Sequence, residues 1–596
     1  MTLGYGSNRR LANALLALTS LTLVACATPG VKVVPEAPKS RLTQLAERLP
    51  ASSEASVYLT DLDRFGAGFT RISGMSEDLS RMRVTFDDTF GVDLGDVGSW
   101  RAEAGIAPDG GMALGFAEDR SVWLVYVDDT QAFDTFLSTT MRAEAGVEVE
   151  AVETRIGDVV VKVLGADIEG QIAWTHFGKL AIVASPQLDP ERGGEADIAT
   201  FVAGLTTLEA SDSTAQTVAF TQFEAEFGDA YAFTVFANPE SIASSPLEAD
   251  VRSWLAEELG PEFATALMAS ATSLGVGVVT DGDVATTHVF MGGDEELVKL
   301  ARKTGEGTAE NPFVGLASED VILGLGVGVN PVAAWSAYST FAPVEHLELA
   351  DSLFARLSRE LGLEPERDVL EIFTGNAGFF FYGIDLAQAM VGMQDPMRGL
   401  AALELIMGVE FEDAETCAKI SASLVLLLSD VLGPEDAFED LPGVDGVKVL
   451  DVMEVGYFLT YEGVLAFSTT ALPAEQAARR LSGVDEDPRV ATPLSTPLTA
   501  SAPFGGLYIS FSGLARALGP MATANPDARR FFDTVDEVAV RFASSKQGVS
   551  IVIDVDLQAA PEAPEGASRG LSPARPPVKY MSFARPPTEG GRPRPF

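Results

Sequence analysis

Cysteine and histidine are scarce in this 596-residue chain: there are two cysteines, Cys26 and Cys417, and three histidines, His176, His288 and His346. Cysteine therefore offers no covalent staple. The histidines stand apart from one another and from cysteine, so the closely spaced ligand pairs of a zinc site are missing, and no metal or cofactor is expected. No His-Glu-x-x-His or Gly-x-x-x-x-Gly-Lys occurs. One Gly-x-Ser-x-Gly does, at Gly566-Ala567-Ser568-Arg569-Gly570. It lacks the preceding strand, the following helix and the downstream histidine that a nucleophile elbow requires. Gly324, Gly326 and Gly328 alternate with Leu325, Val327 and Val329, and that period of two reads as a buried strand, not a dinucleotide loop. Positive charge is also in short supply. Against 86 Asp+Glu there are only 41 Lys+Arg, which excludes nucleic acid as a partner because phosphate binding needs a basic surface. Beyond the leader, no uncharged apolar run approaches the roughly 18 residues of a membrane-spanning helix.

What is present begins with that leader. Arg9 and Arg10 precede an apolar core from Leu11 to Leu23, followed by small residues, and this is the pattern of a secretory signal. Its end, Leu23-Val24-Ala25-Cys26, resembles the signal of bacterial lipoproteins. The resemblance implies that Cys26 is acylated and becomes the first mature residue, after removal of a signal peptide at 1–25. Several acyl chains, at roughly 0.8 kcal/mol per buried methylene, would tether the protein to a membrane without spanning it. By the same resemblance, an Ala27 that is not aspartate implies the outer membrane, on its periplasmic or surface face. The competing reading is an ordinary signal peptide cut elsewhere, with Cys26 incidental. Acylation would leave Cys417 as the remaining thiol, and Glu415-Thr416-Cys417-Ala418-Lys419-Ile420 places it as a small core residue on a helix. Both Lys+Arg residues of the leader precede Cys26, so the mature balance is 39 against 86, or −47. With 46% hydrophobic and 21% charged residues the chain is globular, and the acidity solubilises an exported surface.

Residues 26–40, containing Pro29, Gly30, Pro35 and Pro38, form a lipidated tether. A helix over 42–49 and a strand over 55–59 then open an alternation of apolar strands, such as 122–127, 159–164 and 180–184, with helix-period segments such as 131–141. This is an α+β pattern. Short polar turns such as Asp281-Gly282-Asp283 join successive strands too closely for crossover helices, so the sheet should be mainly antiparallel, with helices packed on it. The alternation also repeats. Ser121 to Asp129 runs into Ala132, Phe133, Phe136 and Leu137, as Leu405 to Asp413 runs into Thr416, Cys417, Ile420 and Ser421; 413 minus 129 is 284. Leu180 to Ala184 matches Val464 to Ser468 at the same offset. Gly105-Ile106-Ala107-Pro108 matches Gly362-Leu363-Glu364-Pro365 at 257, implying about 27 extra residues in the second copy, part of them in 387–400. Two homologous halves, 41–301 and 313–557, follow from this, joined by a linker at 302–312. Each would hold two strand-helix-strand-strand units whose helices start at Asn238-Pro239, Asn330-Pro331 and a Ser512 cap. The competing reading is that strands followed by capped helices look alike in any α+β protein. After Leu557 the composition changes: 558–596 holds nine prolines, six Lys+Arg and three Glu, which marks a disordered tail. Ala574-Arg575-Pro576-Pro577 recurs there as Ala584-Arg585-Pro586-Pro587, either a recognition peptide, a basic strip on the acidic body, or a solvated end.

Two acidic pairs invite a calcium reading, Asp61-Leu62-Asp63 and Asp281-Gly282-Asp283. Neither carries the spaced carboxylates of a full calcium loop, and a helix cap and a hairpin turn account for them. Leu49-Pro50, Ala55-x-Val57-Tyr58-Leu59 and Leu62, then Gly105-Ile106-Ala107-Pro108 before a glycine-rich strand, resemble a domain of unknown function found in exported bacterial proteins. That family implies no activity and no catalytic residue. The expected role is therefore a non-catalytic binding or structural one in the cell envelope, toward another envelope protein or a hydrophobic ligand. The alternatives are an envelope hydrolase using two of the many carboxylates, and a lipid carrier with an apolar cleft.

Overall fold

The computed structural model describes residues 39–72, 95–107, 109–117, 120–145, 150–165, 171–186, 198–243, 269–305, 311–313, 321–341, 370–385, 402–427, 438–442, 444–452, 456–482, 504–519 and 531–557, with isolated positions at 252–253, 265, 347–348, 350–352, 354–355, 359 and 529. Cys26 and the tether up to residue 38, His346, Gly362 to Pro365, the segment 387–400, residues 306–310 of the linker and the C-terminal tail lie outside them.

Among the described residues the first element is helix α1 (Arg41–Ala46), capped by Ser40, whose hydroxyl accepts from the Thr43 N–H. The first half then runs β1 (Ala55–Leu59), α2 (Leu62–Ile72), α3 (Val97–Ala104), β2 (Met112–Ala117), β3 (Arg120–Tyr126), α4 (Thr130–Ala145), β4 (Val152–Ile156), β5 (Val159–Leu164), β6 (Ile172–Phe177), β7 (Leu180–Pro186), α5 (Ile198–Thr206), α6 (Val218–Phe227), β8 (Phe233–Ala237), α7 (Pro239–Ala243), β9 (Ala271–Asp281), β10 (Val284–Gly293) and α8 (Glu295–Gly305). The second runs β11 (Leu323–Gly328), α9 (Pro331–Phe341), β12 (Phe373–Ile384), β13 (Leu403–Phe411), α10 (Ala414–Leu427), β14 (Glu439–Asp440), β15 (Val447–Val452), β16 (Gly456–Tyr461), β17 (Val464–Ser468), α11 (Ala471–Leu481), β18 (Gly505–Ser510), α12 (Phe511–Leu518), β19 (Val535–Ser544) and β20 (Gly548–Leu557). Arg302 to Gly305, read from sequence as linker, form the last turn of α8.

Mixed helix and antiparallel sheet is the fold, and among the described residues every strand pairing is antiparallel. The strands of both halves belong to one sheet in the order 4-5-6-7-3-2-1-8-9-10-20-19-18-11-12-13-17-16-15-14. Read from either end toward the middle, the two halves list corresponding strands in the same order. Registers correspond as well: Val122 pairs with Ala184 between β3 and β7, and Ile406 with Ser468 between β13 and β17, each 284 residues on. The β9–β10 and β19–β20 hairpins stand 264 residues apart, 535 minus 271. In the joining pair β10–β20, His288 faces Val552, again 264 residues on.

Helices cover both faces of the first half. Alternation along β3 sends Val122 and Leu124 to one side, with α1, α5 and α6, and Trp123 and Val125 to the other, with α2, α3 and α4. On the first side Phe220, Phe223 and Phe227 of α6 stack over Tyr58, Phe236 and Phe290. They approach β9 at Gly275 and Gly277, where an added Cβ would stand 2.6 Å from Phe223 or Phe227 ring carbons. In the second half Phe313 is seated in the same manner over Gly378 and Gly408. The alternating glycines of β11 are indeed strand residues. Asn238 and Asn330 cap α7 and α9 through their side chains, whereas the cap of α12 is Ser510, two residues before the Ser512 expected from sequence. Ser510 ends β18, and helical geometry already begins at Phe511, so the earlier hydroxyl reaches the Gly513 N–H.

The glycine seats make a direct prediction. Gly277→Val should force the Phe227 and Tyr231 rings aside and cost about 1–3 kcal/mol, the range for overpacking a filled core. Chemical denaturation measures it, and an unchanged midpoint would show that α6 does not press on β9.

Candidate functional site

Sequence reading placed no residues in a site beyond Cys26, which the structure does not describe. The sequence candidates that are described prove structural. Asp61 caps α2 through the Arg64 N–H, and Asp281-Gly282-Asp283 is the β9–β10 turn, with Gly282 at a left-handed φ of 59°. Cys417 is buried on α10, its Sγ 3.5 Å from the Val464 carbonyl, and burial raises its thiol pKa. Two of the histidines, by contrast, sit in polar clusters that spacing alone does not announce.

The first cluster is built where α4 crosses the outer strands of the first half. Asp134, one turn into α4, points down at β5 and β6. Its Oδ2 accepts from Lys162 Nζ at 2.7 Å, and its Oδ1 accepts from Trp174 Nε1 at 2.7 Å and lies 2.9 Å from His176 Nε2. Lys162 and Trp174 are cross-strand partners, and His176 follows two residues along the same face, so one carboxylate gathers three donors from two strands. Desolvation opposes its charge, but the bonds from Lys162, His176 and Trp174 outweigh it and hold the Asp134 pKa below the usual value. A neutral imidazole bonded this way carries its proton on Nε2. Nδ1 is then the free lone pair, and it is buried without a hydrogen-bond partner while Phe133 stands edge-on to the ring. A His–Asp pair of this kind can orient a base, but a base must reach its substrate. Here the free nitrogen is closed off, and the geometry is that of a brace.

The repeat supplies an internal comparison. At the matching registers the second half has Ala418 on α10, Leu450 opposite Phe458, and Thr460, in place of Asp134, Lys162 opposite Trp174, and His176. The crossing of helix over strands there has no carboxylate in place of Asp134, and the lysine on that face, Lys448 opposite Thr460, is exposed.

The second cluster lies at the join of the halves. His288, 6% exposed on β10, has Nδ1 3.0 Å from the Tyr231 hydroxyl, with the Phe227 ring packed against it. Its Nε2 lies 3.3 Å from Glu226 Oε1 without making a hydrogen bond to it. On the same face Arg541 of β19 pairs with Asp554 of β20 at 3.3 Å. Desolvation lifts the Asp554 carboxyl to a pKa of about 6 despite the guanidinium, and burial likewise raises the Tyr231 phenol. A separate cavity of about 360 Å³, lined by Asp63, Val97, Gly98, Arg101 and Asp109, opens beside α2 and α3. Among the described residues no group of three or more His, Cys, Asp and Glu could hold a metal ion.

Both clusters yield tests. Asp134→Ala should cost about 2–3 kcal/mol, since it strands three partly buried donors. Replacing the whole set by the residues of the second half (Asp134→Ala, Lys162→Leu, Trp174→Phe, His176→Thr) should cost less than the single change, and thermal melts of both variants check the order. At the join, the folded pKa of Asp554 is raised, so its contribution is fully present below the unfolded value near 4 and is lost as pH rises through about 6. Asp554→Asn cannot titrate. Between pH 4 and 7 its stability should therefore gain on the wild type by on the order of 1–3 kcal/mol, and parallel melts at the two pH values that show no relative change would refute the burial argument.

No family model matches the chain, and no curated protein sequence does. Among solved structures it is similar to crystal forms of the treponemal protein TP0453. Form I aligns at 6% identity over 42% of this chain and 79% of the other, with a TM-score of 0.24. Form IV aligns at 7% identity over 44% and 84%, with a TM-score of 0.25.

Proposed function

We propose that this is a lipid-anchored protein of the cell envelope, held at the outer membrane through acyl chains on Cys26, whose acidic body has a non-catalytic binding or structural role. The observation that carries the reading is the order Arg9-Arg10, apolar 11–23, then Leu23-Val24-Ala25-Cys26 directly before a proline- and glycine-bearing tether. No helix among the described residues is long and apolar enough to cross a membrane. The cavity beside α2 and α3 is lined by Asp63, Arg101 and Asp109, a lining suited to a polar partner more than to a hydrocarbon chain. The closed-off Nδ1 of His176 supports a role without turnover.

Cys26→Ser should release the protein from the membrane fraction or leave it unprocessed, while the wild type requires detergent for extraction. Intact-mass measurement of the mature wild-type chain should show added acyl mass on a chain beginning at Cys26. A mature chain without that mass would overturn the reading.

A further inference from the structure

The twenty-strand order leaves β4 and β14 as the two terminal strands of the sheet among the described residues. They are unlike each other. β14 is two residues long, Glu439–Asp440, both exposed and both acidic, which is how an edge is kept from pairing. β4 is a full five-residue strand, Val152-Glu153-Thr154-Arg155-Ile156, bound to β5 on one side only. Large apolar side chains are exposed on it and beside it, with Val152 57% and Val160 44% accessible.

We propose that β4 is a self-pairing edge, through which a second copy of this chain adds antiparallel to the first. The argument is complementarity of the strand with itself. When two copies run antiparallel about Thr154, Glu153 of each stands opposite Arg155 of the other, and Val152 opposite Ile156. Each face then gains a continuous row. On one, the second copy's Val152 extends the row Ile156–Val159; on the other, its Glu153 extends the row Arg155–Val160. Opposite charges directly across an antiparallel pair attract, and like charges in the same place repel. Glu153 is available for this, because its cation within the chain, Lys162, is 3.9 Å away and committed to Asp134 at 2.7 Å. The arrangement is isologous, with one patch on both copies, so it closes at two. The acidic β14 at the far end prevents growth into a fibre. The chain already makes one antiparallel joint of this kind within itself, at β10–β20, where His288 faces Val552.

The test uses the full chain carrying Cys26→Ser, so that acylation plays no part. Sedimentation analysis should show a concentration-dependent monomer–dimer equilibrium. Arg155→Glu places glutamates opposite one another twice and should weaken dimerisation about tenfold or more. The double change Glu153→Arg with Arg155→Glu restores both pairs in reverse and should restore dimerisation. Thr154→Cys sits on the axis and should form a disulfide-linked dimer on mild oxidation, whereas Glu153→Cys should not. Melting curves that match the wild type show that each variant is folded, as expected for exposed edge positions. A wild type that stays monomeric at every concentration, or a folded double variant that does not recover, overturns the proposal.

Discussion

The nine residue pairs between β10 and β20 are what the architecture depends on. Without them each half would end in an open strand; with them, strands from both halves share one hydrogen-bonded surface. Backbone pairing alone does not fix which strands meet, since any edge offers the same groups. Here selection comes from the side chains on the two faces. Ala285 on β10 and Val555 on β20 share one apolar face with Val538 and Val540 of β19, while His288, Arg541 and Asp554 share the other. Burying three ionisable groups at the join is costly by itself, and the raised Asp554 pKa is a sign of that cost. The apolar face opposite carries the stabilisation.

The two halves act as controls for each other. An aromatic ring is seated over strand glycines in each half, Phe223 and Phe227 over β9 in one and Phe313 over β12 and β13 in the other, so the device recurs at different places in the sheet. Where they differ, the fold tolerates either solution. The Asp134 cluster and its counterpart around Leu450 and Phe458, with no carboxylate in place of Asp134, solve one packing problem twice, so that carboxylate is not a requirement of the crossing. A buried ion pair seldom stabilises more than the hydrophobic set that could replace it, and this chain contains both versions.

The α+β class with antiparallel sheet was legible because period-two strands, capped helices and short polar turns are local signals. β1 and β5 were placed to the residue for that reason, and Asn238 and Asn330 were read as caps from a two-residue motif. The end of α8 was not legible, because Arg302 to Gly305 are polar on an exposed turn and resemble a linker. Nor were the polar clusters. Asp134, Lys162, Trp174 and His176 come from one helix and two strands, and only register brings them together. One signal was present all the same: aligning the halves at the 284-residue offset sets Asp134 against Ala418, Trp174 against Phe458 and His176 against Thr460. Charge set against apolar residues within a repeat marks positions where one copy does something the other does not.

The strand order also dictates a sequence of events during synthesis. A chain emerging from its N-terminus can complete the ten strands of the first half while β20, the last strand of the second, is still missing. Until it arrives, β10 is an unpaired edge, and its Val289, Phe290 and Met291 lie in the segment that β20 later covers. Such an edge is an aggregation hazard for as long as it stays open. Every truncated product ending before Gly548 shares that hazard. The C-terminal strand thus serves as a stopper, and its arrival is the step at which a sticky intermediate becomes an inert product.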